Sequence, residues 1–360
     1  MAERATAPRR GMPDPAIGKD EFHRRFLEQF RDPAFRRLDA ALEEIAAVAF
    51  AAYHEGRKAP LTREAGPDFA DPEYSLAHDW LEARAAIRAA QARHDDSAAQ
   101  TRILLINGAS RSEHTCPGEM SKTWRLVEIA CAAAVSEAAE VEILDLSRLS
   151  SEYGRKIYPC KTCFSTAAPL CHWPCSCYPN YSLGQTQDWM NAIYPMWVAA
   201  HGVMIVTPVN WYHSSSALKL MIDRLVCADG GNPDPTRTHG KNAEAAKTIE
   251  LAGWDYPRHL AGRVYSVIVH GDAEGVTEVR RARSDWLTST ELVPASDVAH
   301  LERYIGYWQP YATNHAELDR DRAVQEEVQV AARALARDAA QNRRKPTATA
   351  GSALTPPRQK

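Results

Sequence analysis

The 360-residue chain predicts an α/β protein built on a doubly wound, parallel, five-stranded sheet, with a helical extension before it and helices after it. Two continuous apolar runs, Ile103 to Ile106 and Val203 to Val206, have the form of strands buried on both faces of a parallel sheet. Each run stops at a loop rich in Gly, Ser, Pro or Asn. Each loop leads into a segment whose apolar residues recur at helical spacing, as in Leu126, Ile129 and Ala130 or Leu218, Ile222, Leu225 and Val226.

Composition narrows the function classes. With 45% hydrophobic residues the chain can bury a large core, and its formal charge of -3 comes without a long basic face interleaved with aromatics. Nucleic acid and anionic membranes are therefore not expected partners. No apolar stretch reaches 18 residues, and Met1 to Arg10 lacks the apolar core of a secretory signal, so cytoplasmic residence is expected. Five of the eight cysteines lie between Cys160 and Cys177, a density that points to metal or redox work over structural disulfides.

Taken in order, residues 1–18 are rich in Arg, Pro and Ala without periodicity and are expected to be disordered. Residues 19–100 form the helical extension. Phe26, Phe30, Phe35, Leu38, Leu42, Ile45 and Val48 recur at threes and fours, Trp80, Leu81 and Ile87 mark a second amphipathic helix, and Pro60 and Pro67 break the chain between them. Packing on the core or on a second subunit is its expected work.

The α/β domain spans 101–343. After the strand at Ile103 comes Asn107-Gly108-Ala109-Ser110-Arg111, then a polar loop to Ser121-Lys122-Thr123 at a helix start. Backbone N–H groups, hydroxyls and the positive end of the helix dipole converge there on an anion, with Ser110, Ser112, Ser121 and Thr123 as candidate hydroxyls beside Arg111 and Lys122. Val141 to Leu146 alternates as a second strand, and Gln185 to Ala200 reads as a helix feeding the central one. That central strand ends in Thr207-Pro208-Val209-Asn210-Trp211-Tyr212-His213 before a helix capped by Ser214, Ser215 and Ser216. Loops at the carboxyl ends of parallel strands are where open α/β sheets bind ligands. A long insertion, 228–262, precedes the strand Val264 to Val269, whose loop His270-Gly271-Asp272-Ala273-Glu274-Gly275 offers close backbone approach to a flat ligand. From Val276 onward the chain reads as helical, including the Leu301, Ile305, Trp308 pattern and a helix from about 321 to 340, before a disordered tail over 344–360.

Thr207-Pro208-Val209-Asn210-Trp211, Leu218-Lys219 and Ile222-Asp223-Arg224 resemble the flavodoxin-like NAD(P)H-dependent FMN reductase family, and Gly108 and Arg111 match that family's first-strand loop. Ala109 stands where that loop usually has Ser. The resemblance covers about Arg102 to Val276 and implies a flavodoxin-like sheet of order 2-1-3-4-5. It implies resident FMN, NAD(P)H as cosubstrate, a flavin, quinone or similar flat small-molecule acceptor, and pairing as a homodimer or homotetramer. On this reading the cofactor-binding residues are Ser110, Arg111, Ser112, Ser121, Lys122, Thr123, Pro208, Val209, Asn210, Trp211, Tyr212, Gly271, Asp272 and Gly275. Trp211 or Tyr212 would lie against the ring, and backbone N–H groups of residues 209–212 would contact its edge. Hydride transfer between two cofactors needs no protein base. His213 is the first candidate where an acceptor must be protonated, ahead of His114 and His270.

The segment 157–180 is the cysteine-rich loop. Cys160, Cys163, Cys171, Cys175 and Cys177, with His172 as a spare ligand, have a spacing that admits an iron-sulfur cluster or a zinc ion, a redox-active pair, or inert thiols. The iron-sulfur flavoprotein relatives carry a compact cysteine motif at this position, although here one step is stretched to seven intervening residues. The rival reading is therefore an electron carrier working through this cluster, and a third is a binding module that has lost its flavin.

Overall fold

The computed structural model describes residues 9–10, 16–115, 120–310 and 313–344. Two compact units make up the chain: one of Met1–Ala85, Lys161–Asp188 and Asn232–Trp254, the other of Ala86–Cys160, Trp189–Gly231 and Asp255–Lys360. Of the expected tail over 344–360 only Arg344 is described, as the end of a helix, and most of that over 1–18 lies outside the described residues; within the latter, Arg9–Arg10 pairs with Arg57–Ala59 as a short ribbon.

The larger unit holds the sheet. Its main strands are β1 (Arg102–Asn107), β2 (Glu140–Asp145), β3 (Gly202–Pro208), β4 (Val264–Gly271) and β5 (Leu301–Tyr304), and its main helices are α1 (Lys122–Val135), α2 (Met190–Ala199), α3 (Ser216–Arg224), α4 (Val276–Ser289) and α5 (Arg322–Arg344). The spatial order β5-β4-β3-β1-β2 is parallel throughout, with the two-residue strand Val293–Pro294 also pairing with β4. This is the flavodoxin-like order. Sequence order reverses between β1 and β3, which leaves a crevice at their carboxyl ends.

Full burial of Val203, Met204, Ile205 and Val206 explains the unbroken apolar run. Each such side chain contributes about 1.5–3 kcal/mol when removed from water. On one face α1 and α5 interleave Leu126, Val127, Ala130 and Ala133 with Val328, Ala331, Leu335 and Ala339. A Cβ on Gly202 would sit 2.7 Å from Ile103 Cδ1 and 3.2 Å from Ala339 Cβ, so α5 lies directly on the start of β3. Elsewhere in this unit Trp197 of α2 meets Trp286 of α4 edge-on at 6.1 Å.

One sequence expectation is corrected here. Leu301 and Ile305 belong to a strand and its end, not to a helix. Their four-residue spacing imitates helical periodicity because the residues between them, Glu302, Arg303 and Tyr304, lie on the sheet's edge, where polar and exposed side chains are tolerated.

The smaller unit contains the helices Lys19–Leu27 and Asp39–His54 and a two-stranded ribbon of Thr62–Glu64 with Ser75–Ala77. Phe22, Phe26, Phe30 and Phe35 form a chain of ring contacts, and Phe50 and Tyr53 close on Phe22. Leu42 is buried, whereas Leu38, Ile45 and Val48 of the same expected stripe are exposed. The helix buries Leu42 and Ala46, one turn apart, and turns Ile45 and Val48 outward.

Candidate functional site

Loops following β1, β3 and β4 meet around a cavity of about 500 Å³ in the larger unit. The loops are fixed largely by hydrogen bonds to neighbouring strands and helices distant in sequence.

In the first loop, the Gly108 N–H donates to Val206 O at 2.8 Å, and Ser215, the cap of α3, donates its hydroxyl to Gly108 O. Asn107 donates its amide to Asp145 Oδ1 at 2.7 Å and accepts from the Ala109 N–H at 3.1 Å. A Cβ on Gly108 would come within 2.9 Å of Thr207 Cβ and Oγ1, so no larger residue passes without a shift. Thus anchored, the loop brings Ala109, Ser110, Arg111 and Thr115 to the cavity. Ser112 is not among the lining residues: it is buried in its own turn, where its hydroxyl accepts from the His114 N–H at 3.3 Å. His114 is exposed, and Cys116 lies outside the described residues.

Ser121 caps α1 by accepting from the Trp124 N–H at 3.0 Å, and Lys122 and Thr123 follow into the cavity wall. Buried Lys122 donates from Nζ to Ile305 O at 2.9 Å. Burial draws its pKa down, against the opposing pull of Asp272. Thr123 Oγ1 stands 2.8 Å from His270 Nε2, while His270 Nδ1 is buried without a partner. Burial, assisted by the Lys122 charge, pushes this imidazole down to about 3, so the ring is neutral at physiological pH. A helix N-terminus, an ammonium and three hydroxyls thus share one cavity with an orphaned ring nitrogen.

In the second loop Pro208, Val209 and Asn210 line the cavity. Trp211 and Tyr212 do not; they are 94% and 63% exposed and adopt left-handed backbone angles, φ 48° and 64°, in the turn that bridges Asn210 to His213. The N–H groups of Val209 and Asn210 already donate to the carbonyls of His270 and His213 at 2.9 and 2.7 Å, which removes two of the four donors expected to meet a ring edge. His213 is exposed and outside the cavity lining, whereas His270, read from sequence as the weaker candidate, is inside it. In the third loop Gly271 and Asp272 line the cavity beside His270. Gly275 instead spaces the turn of the second loop, since at φ 102° its Cβ would lie 3.0 Å from Tyr212 Cα. Thr115 and Ser150 are lining residues that the sequence does not single out. Thr115 sits in an irregular turn and Ser150 in the four-residue helix Arg148–Ser151, neither with a motif around it.

The Leu218-Lys219 and Ile222-Asp223-Arg224 segments do structural work. Lys219 pairs with Asp223 on the exposed face of α3, and fully buried Arg224 donates to Tyr158 O at 3.0 Å.

The metal expectation finds no support among the described residues. Cys160 falls in the larger unit, and Cys163, Cys171, Cys175 and Cys177 in the smaller. Among the described residues no group of three or more His, Cys, Asp or Glu side chains is placed to hold a metal ion. His172 is committed elsewhere, its ring nitrogens 2.6 Å from Ser176 Oγ and 2.9 Å from Thr238 Oγ1. The four sulfurs of the smaller unit act together on an ammonium, that of Lys241, whose pKa burial would lower but whose surrounding thiols raise it. Lys241 Nζ lies 3.5 Å from the sulfur of Cys163, and the reading of an iron-sulfur carrier finds no support.

Among curated proteins none matches the sequence. Solved structures similar to the chain include RosB with the bound intermediate 8-demethyl-8-formylriboflavin-5'-phosphate, at 15% identity over 69% of this chain and 82% of that one, with a TM-score of 0.47. A flavone reductase is 18% identical over 69% and 65%, with a TM-score of 0.39. The apo form of the NADH:FMN oxidoreductase EmoB is 13% identical over 64% and 86%, with a TM-score of 0.33. Residues 101–299, which contain all three loops of the cavity, match the model of one family, and the chain belongs to it: the NADPH-dependent FMN reductases.

Proposed function

We propose that the protein binds FMN in this cavity and acts as an NAD(P)H-dependent oxidoreductase whose final acceptor is a flavin, a quinone or a similar flat molecule. The observation that carries this reading is the convergence of the α1 N-terminus, Arg111, Lys122 and the hydroxyls of Ser110, Ser121 and Thr123 on one cavity, a donor set suited to a phosphate monoester. Its volume lies within the range of roughly 300–1,000 Å³ usual for small-ligand pockets.

Bound FMN would supply a ring that takes up hydride from the nicotinamide and passes it on. What the chain contributes is binding and orientation. Lys122 and the helix dipole hold negative charge, Gly108 and Gly271 keep the loop backbones closely packed, and neutral His270 offers Nδ1 as the orphaned polar atom of the wall. Exposed Trp211 and Tyr212 supply flat apolar area for the nicotinamide or acceptor, or complete the site of a second copy in a homodimer or homotetramer. No helix among the described residues is long and apolar enough to cross a membrane, and a cytoplasmic enzyme fits this reading.

Purified protein titrated with FMN, with quenching of flavin fluorescence as the readout, tests the reading. Saturable binding followed by bleaching of the yellow form on addition of NADPH or NADH supports it. A protein that takes up neither flavin nor nicotinamide refutes it.

A further inference from the structure

A second cavity of about 500 Å³, as large as the first, opens at the β5 edge of the sheet, and the two share no lining residue. It exists because the outermost strand is split. Val293–Pro294 pairs with the start of β4 and Leu301–Tyr304 with its end, while between them the chain leaves the ladder for a short helical turn at Asp297–Ala299. Arg280 and Ser284 of α4 form the opposite wall. Ser284 Oγ is enclosed without a hydrogen-bond partner, although the carbonyl of the same residue accepts from the Tyr265 hydroxyl at 3.2 Å. His300 sets its ring edge-on to that of Tyr265, with centroids 5.4 Å apart, and both its nitrogens are enclosed without a hydrogen bond of ordinary length and angle. The Ala295 carbonyl favours the imidazole's proton, but burial first and then the Arg280 charge outweigh it, so the ring is neutral at physiological pH, with one donor and one acceptor. A polar group enclosed without a partner carries an unrecovered desolvation cost, so a ligand that supplies the partner gains by it.

We propose that this cavity is a second small-molecule site, separate from the flavin cavity and selective for an uncharged planar compound that carries an amide or lactam edge. The charges around it exclude the alternatives. Arg280 donates from Nε to Glu302 Oε2 at 2.6 Å, Arg303 donates from Nε to Glu327 Oε2 at 2.7 Å, and Asp297 adds an exposed carboxylate. An anion therefore meets Asp297 and Glu302 as well as Arg280, and a cation meets Arg280 as well as the two carboxylates, so neither gains much from its charge. An amide offers a donor and an acceptor together. Its carbonyl accepts from the terminal nitrogens of Arg280, which the bond to Glu302 leaves to spare, and its N–H and carbonyl answer the neutral imidazole and the Ser284 hydroxyl, each of which both donates and accepts. The flat body of the ligand lies against the rings of Tyr265 and His300 and the apolar side chains of Pro294, Ala295 and Leu301.

The test titrates the full-length protein, with and without saturating FMN, with three probes of one shape: benzamide, benzoate and benzylamine. Isothermal calorimetry and saturation-transfer NMR read the binding. Benzamide should saturate a single site with the same affinity whether or not FMN is present, and the two charged probes should each bind about tenfold or more weakly. Ser284→Ala and Arg280→Met should each weaken benzamide about three- to tenfold, what one neutral hydrogen bond is worth. His300→Phe, which keeps a ring and removes both nitrogens, should weaken it at least as much, with circular dichroism confirming that each variant is folded. Displacement of benzamide by FMN, benzoate or benzylamine binding as tightly as benzamide, affinity unchanged in all three variants, or no saturation up to the solubility of benzamide would overturn the proposal.

Discussion

The hydroxyl of Thr123, in the first turn of α1, lies 2.8 Å from the buried Nε2 of His270, at the end of β4, and is the polar partner of that ring. Thr123→Val keeps the shape and removes the partner. With both His270 nitrogens then unpaired, the variant should lose about 1–3 kcal/mol of stability, read as a lower midpoint in urea unfolding with an unchanged slope. An unaltered midpoint would mean that water replaces the hydroxyl.

The same histidine sets a pH dependence. His270 titrates near 3 in the folded chain against an ordinary value of 6.5, chiefly through burial. His94 and His201, which stack at 4.7 Å, are each held near 4, again mainly by burial. Below pH 6.5 the unfolded chain takes up protons that the folded one refuses, so stability is fully present above that pH and falls as the solution is acidified toward 4 and then 3. The slope is at most about 1.4 kcal/mol per pH unit for each histidine. Unfolding midpoints at neutral and mildly acidic pH measure it, and His270→Gln should flatten the curve.

Lys122→Met separates phosphate recognition from ring recognition. Removing the ammonium should weaken FMN about tenfold, equivalent to about 1.4 kcal/mol, while leaving riboflavin, which has no phosphate, nearly unaffected. Equal losses for both ligands would place the phosphate elsewhere.

Gly108→Ala should destabilise by about 1–3 kcal/mol, because its Cβ meets Thr207 at 2.9 Å and Leu218 Cδ2 at 3.1 Å in a packed crossing of β3 and α3. By contrast Trp211→Ala, at an exposed position, should change stability by less than about 0.5 kcal/mol. If it raises the KM for the nicotinamide or acceptor at constant stability, the ring acts in binding.

The sheet was legible wherever a strand is buried on both faces. β1 and β3 read as unbroken apolar runs because Ile103 to Ile106 and Val203 to Val206 are all buried. β5 hid itself, since an edge strand carries Glu302 and Arg303 where a central one would carry Val or Ile. The cavity loops were recognisable from their glycines, prolines and cap residues, but not which side chains turn inward. Trp211 and Tyr212 point outward because a tight left-handed turn follows Asn210, a conformation that neither residue favours and that no local pattern announces. Lys241 gave no signal whatever, one of two lysines in an insertion rich in glycine and asparagine.

Three stretches far apart in the sequence make up the smaller unit, and this limits how the protein can be shortened. Trp80 donates its indole N–H to Pro174 O at 2.8 Å, the Tyr181 hydroxyl donates to Asp79 Oδ2 at 2.7 Å, and the Ala70 N–H donates to Asp234 Oδ2 at 2.8 Å. A fragment trimmed to begin at residue 101, where homology would invite the cut, would amputate the scaffold on which two internal excursions are pinned. Its cysteine-bearing strap would be left without a seat, and such a fragment should be prone to clumping even with its sheet intact.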